Sequence, residues 1–191
     1  MSRLLTEHPP RLHRWKRSEY YAIAQTGVFD EGVKRRRVEL IDGVIVDMAP
    51  QHNQHAQGIV RGQYALMAAF GPDQLVRVQL PLYLDDYNEP EPDFAVVPRA
   101  TLDSDDHPRT AELVVEVADS SLRYDTHEKR DLYARFAIPE YWVVNLVQRR
   151  VEVYRDPTDG IYRDITSVEP PLSLTPLCAL GATLRIADML P

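Results

Sequence analysis

The chain has 191 residues, 44% of them hydrophobic and 27% charged, which is enough apolar material for one domain with a real interior and unlike a disordered or fibrous chain. Its formal net charge of −7 argues against a uniformly basic nucleic-acid binder. No apolar run approaches the roughly 20 residues of a membrane helix, and MSRLLTEHPPRLHRWKR has no apolar signal core, so a soluble, cytoplasmic protein without membrane association is expected.

The charge is uneven. Residues 1–37 carry nine Lys or Arg against four acidic residues, leaving a basic arm on an acidic body. Such a pairing suits a phosphate ligand served by carboxylates if a cation inverts the local sign, although a solvated charged face is the plainer reading. The single cysteine, Cys178, lies among aliphatics, cannot form an internal disulfide and reads as a small core residue.

In chain order, RSEYYAIAQTGVF predicts a short helix with Ser18 as N-cap. RVELIDGVIVDMAP is a hairpin signal: two β-rich arms around Asp42-Gly43, a pair that tolerates positive φ. Apolar spacing predicts the longest helix over 53–70, stopped by Gly71-Pro72. LVRVQLPLYLDD alternates as a half-exposed strand does, and DFAVV and LVVEV are two further strands. RYDTHEKRDLYARF predicts a helix with Asp125 as N-cap and Glu128 closing a capping box. YWVVNLV is a short buried strand, and RRVEVYRD, GIYRDITS and ATLRI make a β-rich end. The order predicts an α/β fold, a mixed β-sheet flanked by helices with additional C-terminal strands, in a single domain over 1–191.

One strand carries an anomaly. In LVVEV, alternation puts Leu113, Val115 and Val117 on one face and Val114 with Glu116 on the other, so a carboxylate sits among branched aliphatics. A buried carboxylate shifts its pKa, finds a partner or holds a cation. Upstream, Asp93 follows Pro92, whose missing N–H suits a strand start. If these consecutive strands pair, Asp93 and Glu116 converge, and a divalent cation preferring oxygen ligands relieves their repulsion. An ion pair to an arginine is the alternative. Lys129, in the following helix, is within reach of the same carboxylates, and Glu39 is a further acid inside an apolar strand arm; either can equally be a surface residue.

These residues carry a resemblance. Pro92-Asp93 followed by Glu116 looks like the signature of the PD-(D/E)XK nuclease superfamily. ELIDG (39–43), MAP followed by His55, NEPEPDFAVV (88–97), LVVEVADSS (113–121), Asp125 with Lys129, Tyr133 and IPEYWVVN (138–145) resemble the bacterial Uma-two family of restriction endonucleases. The ordered series spans about Glu39 to Asn145. The superfamily lysine two residues after Glu116 is Ala118 here, and Lys129 matches the position from which the family supplies it.

The resemblance implies a restriction-endonuclease-like fold and a metal-dependent endonuclease that hydrolyses DNA phosphodiester bonds. It implies one Mg2+ or Mn2+ held by Asp93, Glu116 and the Val117 carbonyl, with Glu39 completing the shell directly or through water. Lys129 would act at the scissile phosphate. Tyr133 and His55 would support the site, His55 by bonding a metal-bound water or Glu39; a core aromatic is the plainer reading of Tyr133. Lys34, Arg35, Arg36 and Arg37 would contact DNA, and a homodimer is expected.

Two other classes remain open: a nuclease-like fold that only binds nucleic acid or protein, and a metal-dependent hydrolase of a small phosphorylated compound. No Gly-rich phosphate loop or serine hydrolase motif is present, and no organic cofactor is expected. His52 and His55 have a spacing usable by zinc, but no third ligand lies nearby in sequence. His127 and the acidic stretch 102–107 are expected to face solvent.

Overall fold

A computed structural model of the protein describes residues 11–31 and 34–191, without the side chains at 31, 34 and 35. Contacts divide the chain into two units, one of residues 1–48 with 85–89, the other of residues 49–84 with 90–191.

The first unit holds α1 (Arg17–Ala24), the short strands β1 (Asp30–Glu31) and β2 (Lys34–Arg35), and the hairpin β3 (Val38–Ile41) and β4 (Val44–Asp47). The hairpin pairs Ile41 with Val44 around Asp42 and Gly43, both at positive φ (50° and 74°), as the Asp-Gly pair predicts. Helix α1 begins two residues earlier than expected. Lys16, not Ser18, is its N-cap, because the Glu19 carboxylate accepts the Lys16 N–H at 2.8 Å. Buried Glu89 accepts hydrogen bonds from Arg17 and Tyr21, and its main chain bridges to Leu40 of β3.

The second unit is built on a six-stranded mixed sheet of order β10-β9-β8-β7-β6-β5. Its strands are β5 (Gln74–Val78), β6 (Phe94–Pro98), β7 (Leu113–Ala118), β8 (Glu140–Asn145), β9 (Arg150–Thr158) and β10 (Ile161–Val168). Only β7 and β8 run parallel, and the crossover between them carries a helical stretch made of α3 (Leu122–Tyr124), a π-helical turn (Asp125–Lys129) and α4 (Arg130–Arg135). The expected N-cap at Asp125 is therefore corrected. The helix starts at Leu122, and Asp125 lies inside it, where its carbonyl accepts the Arg130 N–H five residues on and its carboxylate accepts the Ser121 hydroxyl at 2.6 Å.

One face of the sheet buries Phe94, Val96, Leu113, Val115, Val117, Trp142, Val144, Val151 and Val153 against Leu66 of α2 (Asn53–Ala69). The C-terminal strands β11 (Ser173–Leu174) and β12 (Leu184–Arg185), with α5 (Ile186–Met189), close the same core. Glu140, fully buried, fastens the segment between β11 and β12 by accepting the Leu177 N–H at 2.8 Å while also accepting Trp142 Nε1 and Arg155 Nε. Cys178 packs partly buried against the core, and burial raises its thiol to about 12, so it is an inert core group. The opposite face carries a tyrosine ladder in which Tyr133, Tyr141, Tyr154 and Tyr162 follow at centroid spacings of 5.0, 5.6 and 6.0 Å. Among the described residues no helix is long and apolar enough to cross a membrane.

Helix α2 lies close to the sheet because of two glycines. A Cβ at Gly58 would stand 2.7 Å from Val117 Cγ1, and one at Gly62 would stand 2.9 Å from the Phe94 ring. Overpacking of this kind costs about 1–3 kcal/mol, more than the about 1 kcal/mol that replacing a helical glycine returns. Gly58→Ala and Gly62→Ala are therefore each expected to lower the urea unfolding midpoint, whereas Gly71→Ala, with nothing within 4 Å, is expected to leave it unchanged.

Candidate active site

The ladder between β6 and β7 pairs Phe94 with Val115. Carried one residue further, this antiparallel register sets Asp93 opposite Glu116 on the face away from the main core. Each carboxylate then accepts a main-chain N–H of the other's strand: Asp93 N–H reaches Glu116 Oε2 at 3.2 Å, and Val117 N–H reaches Asp93 Oδ2 at 2.8 Å. Asp93 is 6% exposed and Glu116 4%, too deep for two bare negative charges to be tolerated side by side.

The surroundings supply the compensation. Lys129, at the end of the π-helical turn and also buried, places Nζ 2.9 Å from Glu116 Oε1. Tyr133, one turn further along the helix, donates its hydroxyl to the same oxygen at 3.1 Å. Both side chains fall on the helix face turned to β7, as residues four apart do. The Tyr141 hydroxyl donates to the Asp125 carbonyl at 3.0 Å, tying the start of the π-helical turn to β8. On the other side, His55 in the first turn of α2 brings Nε2 to 3.3 Å from Asp93 Oδ2.

Burial alone would raise the Asp93 carboxyl. The hydrogen bond and charge of His55, the Val117 N–H and Gln79 outweigh it and hold the group below its ordinary value.

The structure thus brings together Asp93, Glu116, Lys129, Tyr133 and His55, and the Val117 main chain adjoins them. Glu39 lies on β3 of the first unit, 3% exposed and paired across the hairpin with Val46. Of the basic run, the side chains of Lys34 and Arg35 lie outside the described residues; Arg36 pairs with Asp47 at 3.5 Å, and Arg37 is half-buried. The alternative of an arginine partner is not what Glu116 shows; Lys129 and Tyr133 share its Oε1. His127 and residues 102–106 are exposed, as expected, whereas His107, the last residue of that stretch, is half-buried with its Nδ1 3.3 Å from Arg77 Nη2.

One residue of the cluster was missed in the sequence. Gln79, just past β5, donates Nε2 to Asp93 Oδ1 at 3.1 Å and its main-chain N–H to the Asp93 carbonyl at 3.0 Å. Its only sequence signal is that it continues the alternation of Arg77 onto the Glu116 face.

Lys129→Met strips a buried carboxylate of its ammonium, and breaking a buried pair in this way costs about 3–5 kcal/mol. The expected result is a large fall in the urea midpoint, with Glu116→Gln combined with Lys129→Met recovering part of it. The lowered Asp93 value also fixes a pH dependence. Its contribution to stability is present in full above the ordinary aspartate value and is lost as pH falls from there through the lower folded one. Asp93→Asn is expected to flatten urea midpoint against pH in that window. A residual slope remains from Glu152, where burial is likewise outweighed, here by Asn145, Tyr154 and Arg150.

The Uma2 family, described as "Putative restriction endonuclease", matches residues 18–187. No curated protein matches the chain. Among solved structures, a "putative nuclease belonging to DUF820" from Anabaena variabilis ATCC 29413 superposes with TM-score 0.67 at 15% identity, covering 81% of this chain and 89% of that one. At that identity the likeness shows the fold. The type IIG restriction endonuclease BpuSI overlaps at TM-score 0.41 and 17% identity, over 71% of this chain and 14% of its own. With nearly the whole chain matched and a mixed six-stranded sheet flanked by helices, the protein belongs to the Uma2 family and has a restriction-endonuclease-like nuclease fold.

Proposed function

We propose that the protein is a metal-dependent endonuclease that hydrolyses DNA phosphodiester bonds, with Asp93, Glu116 and Lys129 as its working residues. The single observation carrying this reading is the pair of buried carboxylates on adjoining strands with an ammonium 2.9 Å from one of them. A structural ion pair needs one carboxylate; two, plus a lysine, match the requirements of phosphoryl chemistry.

The donor set fits a hard divalent cation. Asp93 and Glu116 offer carboxylate oxygens, and Val117, whose N–H bonds Asp93, would add its carbonyl. Among the described residues no group of three or more His, Cys, Asp or Glu is placed to hold a metal ion by itself, so the two carboxylates would need waters to complete a shell. Mg2+ in particular keeps several waters and is commonly held by one or two carboxylates. Bound there, the cation would supply charge stabilisation at the phosphodiester and make water a better nucleophile.

The residues of the chain do the rest. Asp93 and Glu116 would hold the cation through their carboxylate oxygens. Lys129 turns from Glu116 towards the phosphate, neutralising charge that grows on its oxygens. Tyr133 steadies the lysine by sharing its carboxylate oxygen. His55 holds the Asp93 carboxylate in orientation. Glu39 enters the ligand set only if its own variant weakens cation binding. Basic residues of the 34–37 run steer the polyanion, and their loss is expected to weaken DNA binding and reduce its salt dependence.

Nicking of supercoiled plasmid with Mg2+ or Mn2+ tests the reading. Chelation is expected to abolish cleavage, and Asp93→Ala, Glu116→Ala and Lys129→Ala are each expected to reduce it by about 10²-fold or more. Undiminished cleavage in Glu116→Ala and Lys129→Ala removes the mechanism. Intact duplex binding without any cleavage or cation uptake would instead mark a binding module.

A further inference from the structure

The Asp93 carboxylate is gripped at both oxygens. Oδ2 accepts Val117 N–H at 2.8 Å and lies 3.3 Å from His55 Nε2, while Oδ1 accepts Gln79 Nε2 at 3.1 Å. Gln79 is also fixed by its own backbone, since its N–H donates to the Asp93 carbonyl at 3.0 Å. One residue therefore binds Asp93 twice, through main chain and side chain, and so ties the amide to the carboxylate with little freedom.

That backbone is unusual. Gln79 sits at φ 50°, in the left-handed region that favours glycine, and a long-chain residue there is disfavoured by contact of Cβ with the following carbonyl. A glycine would fit the turn from β5 more easily. Strained residues of this kind persist where the surrounding structure over-determines them, and they cluster at functional sites. The feature the strain preserves is the amide. It is half-buried, and its Nε2 donates to Oδ1 of a buried carboxylate.

We propose that Gln79 is a positioning residue: its amide fixes the rotamer of Asp93 so that the carboxylate presents a cation-binding oxygen towards Glu116, and the left-handed backbone is retained for that purpose. This rests on the cation site proposed above. It assigns Gln79 no contact with substrate. Outer partners that orient a ligating side chain are commonly worth 10–100-fold in metal affinity, so the amide is expected to matter on about that scale.

The test uses the full chain with Gln79→Gly and Gln79→Ala, Mn2+ calorimetry, urea unfolding and crystal structures of each protein. Gln79→Gly removes the amide and relieves the backbone, so its urea midpoint is expected to equal or exceed that of the parent, while Mn2+ affinity falls about 10-fold or more. Gln79→Ala loses the amide but keeps the backbone penalty; it is expected to show the same loss of affinity with a lower midpoint. In both structures the Asp93 carboxylate is expected to turn away from its parental position.

A merely structural Gln79 would give the reverse pattern, a lowered midpoint in Gln79→Gly with Mn2+ affinity within about twofold of the parent, and this overturns the proposal. An unmoved Asp93 carboxylate in Gln79→Gly overturns it as well. If the parent protein takes up no Mn2+, the metal reading fails by itself. The position of Asp93 in the two variant structures then decides the role of Gln79: turned, it stands; unmoved, it falls.

Discussion

Two buried carboxylates side by side are the constraint on which the second unit depends. Asp93 and Glu116 repel each other, and in a poorly polarisable interior that repulsion is large. The fold answers locally. Each carboxylate takes a main-chain N–H from the opposing strand, so the repelling groups also become cross-links between β6 and β7. An ammonium, a phenol, an imidazole and an amide complete the set.

The supporting elements divide by face. On the core face, two glycines let α2 settle close to Val117 and Phe94, neighbours in sequence of Glu116 and Asp93. The same helix carries His55 at its start, so the depth of its seating and the position of the imidazole are set together. On the other face, the tyrosine ladder backs the helical stretch that delivers Lys129 and Tyr133. Tyr141 touches both sides of that arrangement, packing at a tilt on Tyr133 and bonding the Asp125 carbonyl.

Much of this was legible in the sequence where one pattern governed one residue. Period-two alternation put Glu116 on the face opposite Val115 and Val117, and Pro92 marked where β6 begins, so the meeting of Asp93 with Glu116 followed from neighbouring strands. Asp42-Gly43 set the hairpin, and apolar spacing set α2 to within a residue of its end. What escaped reading depended on tertiary company. Asp125 resembled an N-cap because Glu128 follows at capping-box spacing, yet Leu122 begins the helix and Tyr141 and Ser121 hold Asp125 within it. Gln79 carried no signal of left-handed backbone, since its two bonds to Asp93 come from a residue distant in sequence. Ser18 lost the cap of α1 because the Glu19 side chain reaches back to Lys16, a choice between adjacent polar residues that local composition does not rank.

The π-helical turn has a further consequence. A lysine carried on β7 itself would be locked to the same rigid backbone as Glu116. Here the ammonium arrives on a separate element, through a wide turn whose Asp125 carbonyl is shared between the Arg130 N–H and the Tyr141 hydroxyl. The strand-borne anions and the helix-borne cation thus reach one point from separate backbones, joined by the Lys129–Glu116 contact and by the Tyr141 tie to the turn.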